Sequence, residues 1–168
     1  MKAIELDARR YAWCHGNARW LMGLECAQWM EDLQGAAAAN QRGLVRYVSR
    51  AIGEECAVML ALIVHHAKPI PSPQMRAAWA LERIAGHDLH DPCWELIRGV
   101  DVDAEPPWKT VARCEALLDA VREIVGDAPN PLTPEGYHPA LALARDWLKL
   151  ADAVEEEGPL PSEWTKGG

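Results

Sequence analysis

The sequence predicts an all-α fold: a single-domain bundle of about six helices built on a long antiparallel helix pair. Three observations carry this. Apolar residues recur at helical spacing over long stretches, no segment alternates apolar and polar residues as a strand does, and Pro and Gly clusters cut the chain at helix-length intervals. No internal repeat is visible. The bundle is expected over residues 1–158, followed by an irregular tail over 159–168 in which only Trp164 is placed to dock.

Residues Arg42 to Pro71 organise the chain, with no proline before Pro69. Leu44, Val48, Ala51, Ile52, Met59, Leu62 and Ile63 fall on one stripe when residues are set about 100° apart. Glu55 and His66 lie inside that stripe. A carboxylate on an apolar face must find a partner or raise its pKa, because an unpaired buried charge is costly.

The first helix is expected from about Ile4 to Leu33. Tyr11, Cys14, Ala18, Leu21, Met22 and Trp29 form one apolar stripe, and Trp13, Trp20 and Leu24 form a second; a helix apolar on two sides is central in a bundle. Glu25, like Glu55, falls within an apolar stripe. Gly35 to Gly43 reads as a connector with Asn40 as a candidate N-cap. The long second helix ends near Lys68, before Pro69-Ile70-Pro71. Ser72-Pro73 then supplies a cap and a first-turn proline for a helix carrying Met75, Trp79 and Ile84 inward and stopping at Gly86. Asp91-Pro92 repeats that start for a short helix closed by Gly99. A fifth helix is expected from Trp108 to Val125, with Val111, Cys114, Leu118, Val121 and Val125 inward and Gly126 as its stop. The proline-rich loop DAPNPLTPEGYHP is expected to lack regular structure. A last helix, about Pro139 to Glu157, would bury Leu141, Ala144, Leu148 and Ala151.

Composition narrows the function. Hydrophobic residues make up 49% of the 168, enough for one real core. The net charge of -8 and pI near 5.2 argue against a nucleic-acid partner and suit a cationic ligand or simple solubility. Phe is absent and Trp numbers 8, so indoles supply much of the aromatic packing and favour half-buried positions such as pocket walls. The five cysteines show no C-x-x-C pair and read as reduced core residues, hence a cytoplasmic protein. MKAIELDARR lacks the apolar stretch of a signal peptide, and the longest apolar run, Ala57 to Val64, is far too short to span a bilayer, so no membrane role is expected.

Glu25, Glu55, His15 and His66 form the leading constellation. If the first two helices pair antiparallel, Glu25 approaches the level of Arg50 and Glu55 that of Trp20, with His15 one to two turns beyond. Two readings stay open: an acid/base or cation-binding pocket with Trp walls, or structural pairing of Glu25 with Arg50 and of Glu55 with a Trp N–H or another Arg. Other patterns are weaker. A di-metal site needs Glu-x-x-His on helices, and Glu135-Gly136-Tyr137-His138 sits beside proline. His87-Asp88-Leu89-His90-Asp91 lies between helix stop and start, where His and Asp are ordinary turn residues. Arg10 and His15 have the R-x4-H spacing of HEPN ribonucleases, which the acidic balance opposes. Asp101-Val102-Asp103 lacks the strand and Gly-Ser turn that paired aspartates need in a nucleotidyltransferase. No metal and no cofactor are expected.

Arg42, Arg46 and Arg50, the apolar helix through Val64, the break from His66 to Pro71, the Met75–Trp79 segment and the later Pro129-Asn130-Pro131 together resemble a known class. It is the C-terminal helical domain of bacterial nucleotidyltransferases, of the HEPN and kanamycin-nucleotidyltransferase-like group. The resemblance extends over most of the chain through patterns rather than invariant signatures. It implies a bundle that binds a polar, often amine-bearing acceptor. The chain departs from the family in lacking the catalytic nucleotidyltransferase core, so adenylyl transfer is not implied, and a separate nucleotidyltransferase becomes a candidate partner.

The expected function is thus a free-standing bundle binding a small polar or cationic molecule. Trp13, Trp20 and Trp79 would line the cavity, Glu25 and Glu55 would supply charge, and Arg46 or Arg50 would hold an anionic group. The alternatives are a small cofactor-independent enzyme using Glu55, His66 and His15 as acid/base groups, and an interaction module for a separate nucleotidyltransferase. A homodimer also stays open.

Overall fold

The computed structural model describes residues 2–66, 73–99 and 104–151, with side chains over 11–66, 75–99 and 104–146. The chain is all-helical there: α1 (Lys2–Trp20), a π-helical turn (Leu21–Glu25), α2 (Cys26–Ala38), α3 (Arg42–His65), α4 (Pro73–Arg83), α5 (His90–Arg98), α6 (Pro107–Val125) and α7 (Pro134–Ala151). Because α1, the π turn and α2 run on without a break, the described residues form six rods, the number that the spacing predicts.

The first rod is longer than expected. It reaches Ala38, and the residue that closes it is Asn40, in the left-handed region at φ 52°. Asn40 N–H donates to Ala37 O at 3.0 Å and Gln41 N–H to Ala36 O at 2.9 Å, the paired bonds of a Schellman ending. Asn40 therefore ends one helix and does not cap the next; the N-cap of α3 is Gln41. Asn tolerates positive φ because its short amide bonds locally, which suits this role.

The two long rods pair antiparallel, with aromatic contacts at two levels. Trp29 meets Tyr47 edge-on at 6.1 Å near the turn, and Tyr11 meets His66 at 4.7 Å at the far end. α3 is the central element, packing against α1, α2, α4, α5 and α6, while α7 covers α1. Seven consecutive residues, Cys56 to Leu62, are fully buried, the signature of a helix enclosed on all sides. At the outer turns of α3 the stripe is narrower than expected. Leu44 is exposed and its neighbour Val45 is buried instead.

Local chemistry explains the other departures. Met75, expected inward, is 57% exposed, because Arg76 and Ala80 lie on the side of α4 that meets α3. Tyr11 is half-exposed at the open end of the helix pair. α5 begins at His90, so Asp91 falls inside its first turn and not at the cap, where its charge still favours the helix N-terminus. The last helix starts five residues before Pro139. Thr133 Oγ1 accepts from Gly136 N–H at 3.1 Å, and Pro134 takes the first helical position. This start signal outweighs Pro139, which remains inside α7 despite its missing N–H. Ala144 is buried as expected and Leu141 only half so. The side chains of Leu148 and Ala151, the end of the domain near 158, the tail and Trp164 lie outside the described residues.

Close backbone approach depends on two glycines. A Cβ on Gly53 would stand 2.9 Å from Leu96 Cβ and 3.1 Å from the Cys93 carbonyl, so α3 and α5 meet at contact distance. Gly23, in the π turn, lies against the carbonyl of Pro129, fixing the loop between α6 and α7 on the first rod.

Among the described residues no helix is long and apolar enough to cross a membrane. The five cysteines are buried and free.

Candidate functional site: a carboxylate seam and a histidine pair

Glu55 lies mid-way along α3 with its side chain 14% exposed, and Arg76 reaches it from α4. Arg76 Nη1 donates to Oε1 at 3.0 Å and Nη2 to Oε2 at 2.9 Å, a two-pronged contact that satisfies both oxygens. Burial still raises the Glu55 pKa. Arg76 opposes that rise, while Glu25 on the π turn and Glu54 next door add to it. The buried Cys26 thiol is raised by burial first, then by Glu55 and Glu25, which places both carboxylates beside the start of α2.

Glu25 and Glu55 therefore share one seam, as the antiparallel pairing requires. Arg50 does not join them in the manner expected. It donates from Nε to Glu54 Oε1 at 2.8 Å, one turn along its own helix, because that partner is presented at i,i+4 with no inter-helix reach. Arg46 runs along the backbone of Gly99 at the start of the α5–α6 connection. Trp13 and Trp79 are core residues at 6% and 4% exposure, the latter under the guanidinium of Arg83 at 5.2 Å, so neither presents an open wall. Trp20 is half-buried.

His15 and His66 converge at the other end of the pair. Their ring centres are 5.9 Å apart, with Tyr11 4.0 Å from His15 and 4.7 Å from His66. His66 reaches this position because α3 terminates on it in the left-handed conformation, φ 47°, which turns the chain at the helix end. Burial, then His66, then Arg19 lower the His15 pKa. Eleven residues separate Glu55 from His66 on one helix, roughly 16 Å at the helical rise. The expected cavity shared by two carboxylates and a His is therefore divided, with the carboxylates at one level and His15 beside His66 at the other.

The other ligand-rich stretches have local roles. His87 Nδ1 accepts from Leu89 N–H at 3.1 Å, and His90 Nδ1 lies 2.8 Å from Asp91 Oδ1. Glu135 and His138 lie on the exposed first turns of α7. Among the described residues no group of three or more His, Cys, Asp or Glu is arranged to hold a metal ion. Asp101, Asp103 and the Arg10 side chain lie outside the described residues.

Among the described residues, surface grooves lie elsewhere. One of about 330 Å³ runs between α5 and α6 beside Pro92, Glu95, Arg113 and Leu117, and one of about 410 Å³ lies beside Trp29, Asp32 and Leu132. Neither is lined by Glu25 or Glu55. Sequence reasoning missed Arg76 and gave Tyr11 a core role. The signal for Arg76 was available: it stands four residues before Ala80 and three before Trp79, on the side of α4 that packs inward.

No family model, curated protein or solved structure matches the chain.

Proposed function

We propose that the protein is a helical bundle that binds a small cationic molecule, an amine or guanidinium compound, at the seam of α2, α3 and α4. One observation carries the reading. Three carboxylates (Glu25, Glu54 and Glu55) gather where Arg50 pairs with Glu54 and Arg76 with Glu55, and the Glu55 pKa stays raised in spite of Arg76. A cation placed near Glu25 would lower the energy of all three charged carboxylates at once. The overall charge of -8 adds a favourable long-range field for the same ligand.

The acid/base alternative with Glu55, His15 and His66 acting together has less support, since the carboxylate and the imidazoles lie roughly 16 Å apart along α3. The resemblance to nucleotidyltransferase helical domains suggests a variant of the leading proposal, in which the amine is held for a separate nucleotidyltransferase. Five free, buried thiols fit a reducing compartment and favour a cytoplasmic setting.

Titration calorimetry of the full chain with spermidine, putrescine and guanidinium at low salt tests the reading. Binding should weaken at least about tenfold in Glu25→Gln, the loss of one charge interaction worth about 1.4 kcal/mol. Absence of millimolar binding by all three probes, or equal binding by the variant, overturns it.

A further inference from the structure

We propose that the cationic ligand is a linear aliphatic polyamine laid along α2, with one end ammonium at Glu25 and the other at Asp32, in the groove that Trp29 and Leu132 wall. The inference rests on the seam reading above and extends it from a single charge to an elongated molecule.

Register supports it first. Glu25 takes helical angles, φ -63° and ψ -48°, and α2 runs on regularly from Cys26 to Ala38. Glu25, Gln28, Trp29 and Asp32 therefore follow one another at i, i+3, i+4 and i+7, which is one face of the helix. From Glu25 to Asp32 the helix rises roughly 10 Å, with about 6 Å of it before Trp29. An extended chain gains about 3.3–3.6 Å for every three backbone bonds. The nine bonds between the end nitrogens of spermidine thus reach about 10 Å, and the five of putrescine only about 6 Å. With its four-carbon arm towards Glu25, spermidine brings its inner nitrogen level with Trp29.

The groove supports it next. It holds about 410 Å³ and is lined by Gln28, Trp29, Glu31, Asp32 and Leu132. That volume lies within the roughly 300–1,000 Å³ of small-molecule sites. Trp29 is half-buried and stands edge-on to Tyr47, with ring centres 6.1 Å apart at 75°, so its ring is held in place. An indole face attracts an ammonium group and packs against methylenes. Leu132 adds an apolar wall from the α6–α7 connection, which is fixed on the first rod where Pro129 meets Gly23.

The distribution of charge agrees. Among the described residues Arg50 is engaged by Glu54 and Arg76 by Glu55, while no ion pair engages Glu25, Glu31 or Asp32. Carboxylates thus stand at both ends of an apolar, aromatic stretch. A compact cation would use one end only, and a flexible chain of methylenes between ammonium groups uses all three parts.

Titration calorimetry of the full chain with spermidine and with putrescine at low salt tests this, on wild type, Asp32→Asn, Glu25→Gln and Glu95→Gln. Spermidine should bind at least about tenfold more tightly than putrescine. Asp32→Asn should weaken spermidine at least about fivefold and putrescine less than about twofold, since putrescine held at Glu25 ends short of Asp32. Glu95→Gln removes the same charge at the α5–α6 groove and should leave both amines within about twofold. Equal binding of the two amines, spermidine binding indifferent to Asp32, or a loss in Glu95→Gln as large as in Asp32→Asn overturns the inference. Where putrescine still loses affinity in Glu25→Gln, the seam reading survives that failure. Binding of neither amine overturns this inference and, with guanidinium also silent, the seam reading as well.

Discussion

Arg76 clasps Glu55 through both terminal guanidinium nitrogens, joining α4 to the centre of α3. The Glu55 side chain is 14% exposed and that of Arg76 33%, so the carboxylate, not the guanidinium, would be stranded by loss of its partner. Arg76→Met should destabilise the fold by about 1–3 kcal/mol. That is less than the 3–5 kcal/mol of a fully buried pair, because water still reaches Arg76. The double variant Glu55→Leu/Arg76→Met should recover most of the loss. Urea denaturation of the three proteins measures this, and a double variant no more stable than Arg76→Met would contradict it.

The pH dependence follows from the same carboxylate. The folded Glu55 pKa is above the ordinary glutamate value, so the folded state holds the proton more tightly than the unfolded state does. Its favourable contribution is complete below the ordinary glutamate value and is lost as pH rises through the raised one. Measured against Glu55→Gln, wild-type stability should therefore increase as pH falls across that window, by no more than about 1.4 kcal/mol per pH unit. Denaturation midpoints at a series of acidic pH values supply the comparison. A difference that is flat, or that slopes the other way, contradicts the assignment.

Gly53 sets the distance between α3 and α5. Its missing Cβ would meet Leu96 Cβ at 2.9 Å, a side-chain atom fixed to its own backbone that cannot swing aside. Gly53→Ala should cost about 1–3 kcal/mol through overpacking, outweighing the helix propensity that alanine brings. Gly35→Ala, at an open position in α2, should be neutral or stabilising by up to about 1 kcal/mol. Thermal denaturation of the two variants separates packing from propensity.

The cysteines should be silent until the core opens. Burial pushes the Cys93 and Cys114 thiols up to about 12, and it raises Cys56 and Cys26 as well. Reactivity depends on thiolate and on access, and the folded chain restricts both. Labelling by an aromatic disulfide reagent should be on the order of 100-fold slower in native protein than in denatured protein, with five thiols released only on unfolding. Fast stoichiometric labelling of any one cysteine in the native state would contradict this.

Much of the framework was legible because it rests on local signals. The stops at Gly99 and Gly126 and the long period-3.6 pattern each act within a few residues, and each recurs in the structure. By contrast, α3 ends at His65, ahead of the expected Lys68, and the proline cluster lies outside the described residues. What escaped depends on the partner across a gap. Nothing local distinguishes Asn40 as a helix ending from Asn40 as a helix start; the distinction is whether Gln41 N–H finds the Ala36 carbonyl. Thr133-Pro134 was the same start signal as Ser72-Pro73, masked by the prolines around it. At the site, the antiparallel register brings Glu25 near Glu55 and His15 near His66. It could not say that Arg76 would claim Glu55, since α4 arrives from a third direction.

The π turn at Leu21–Glu25 has a final consequence. It winds one surplus residue into the first rod, so the portions before and after it are keyed to α3 independently. Removing a single amino acid there would restore an ordinary helix and leave both portions facing α3 as they do now, because the wide turn already absorbs the surplus residue. Removing one from the regular stretch of α2 instead would swing everything beyond it by about 100°. A deletion scan through the first rod should therefore find this short stretch the most tolerant of shortening.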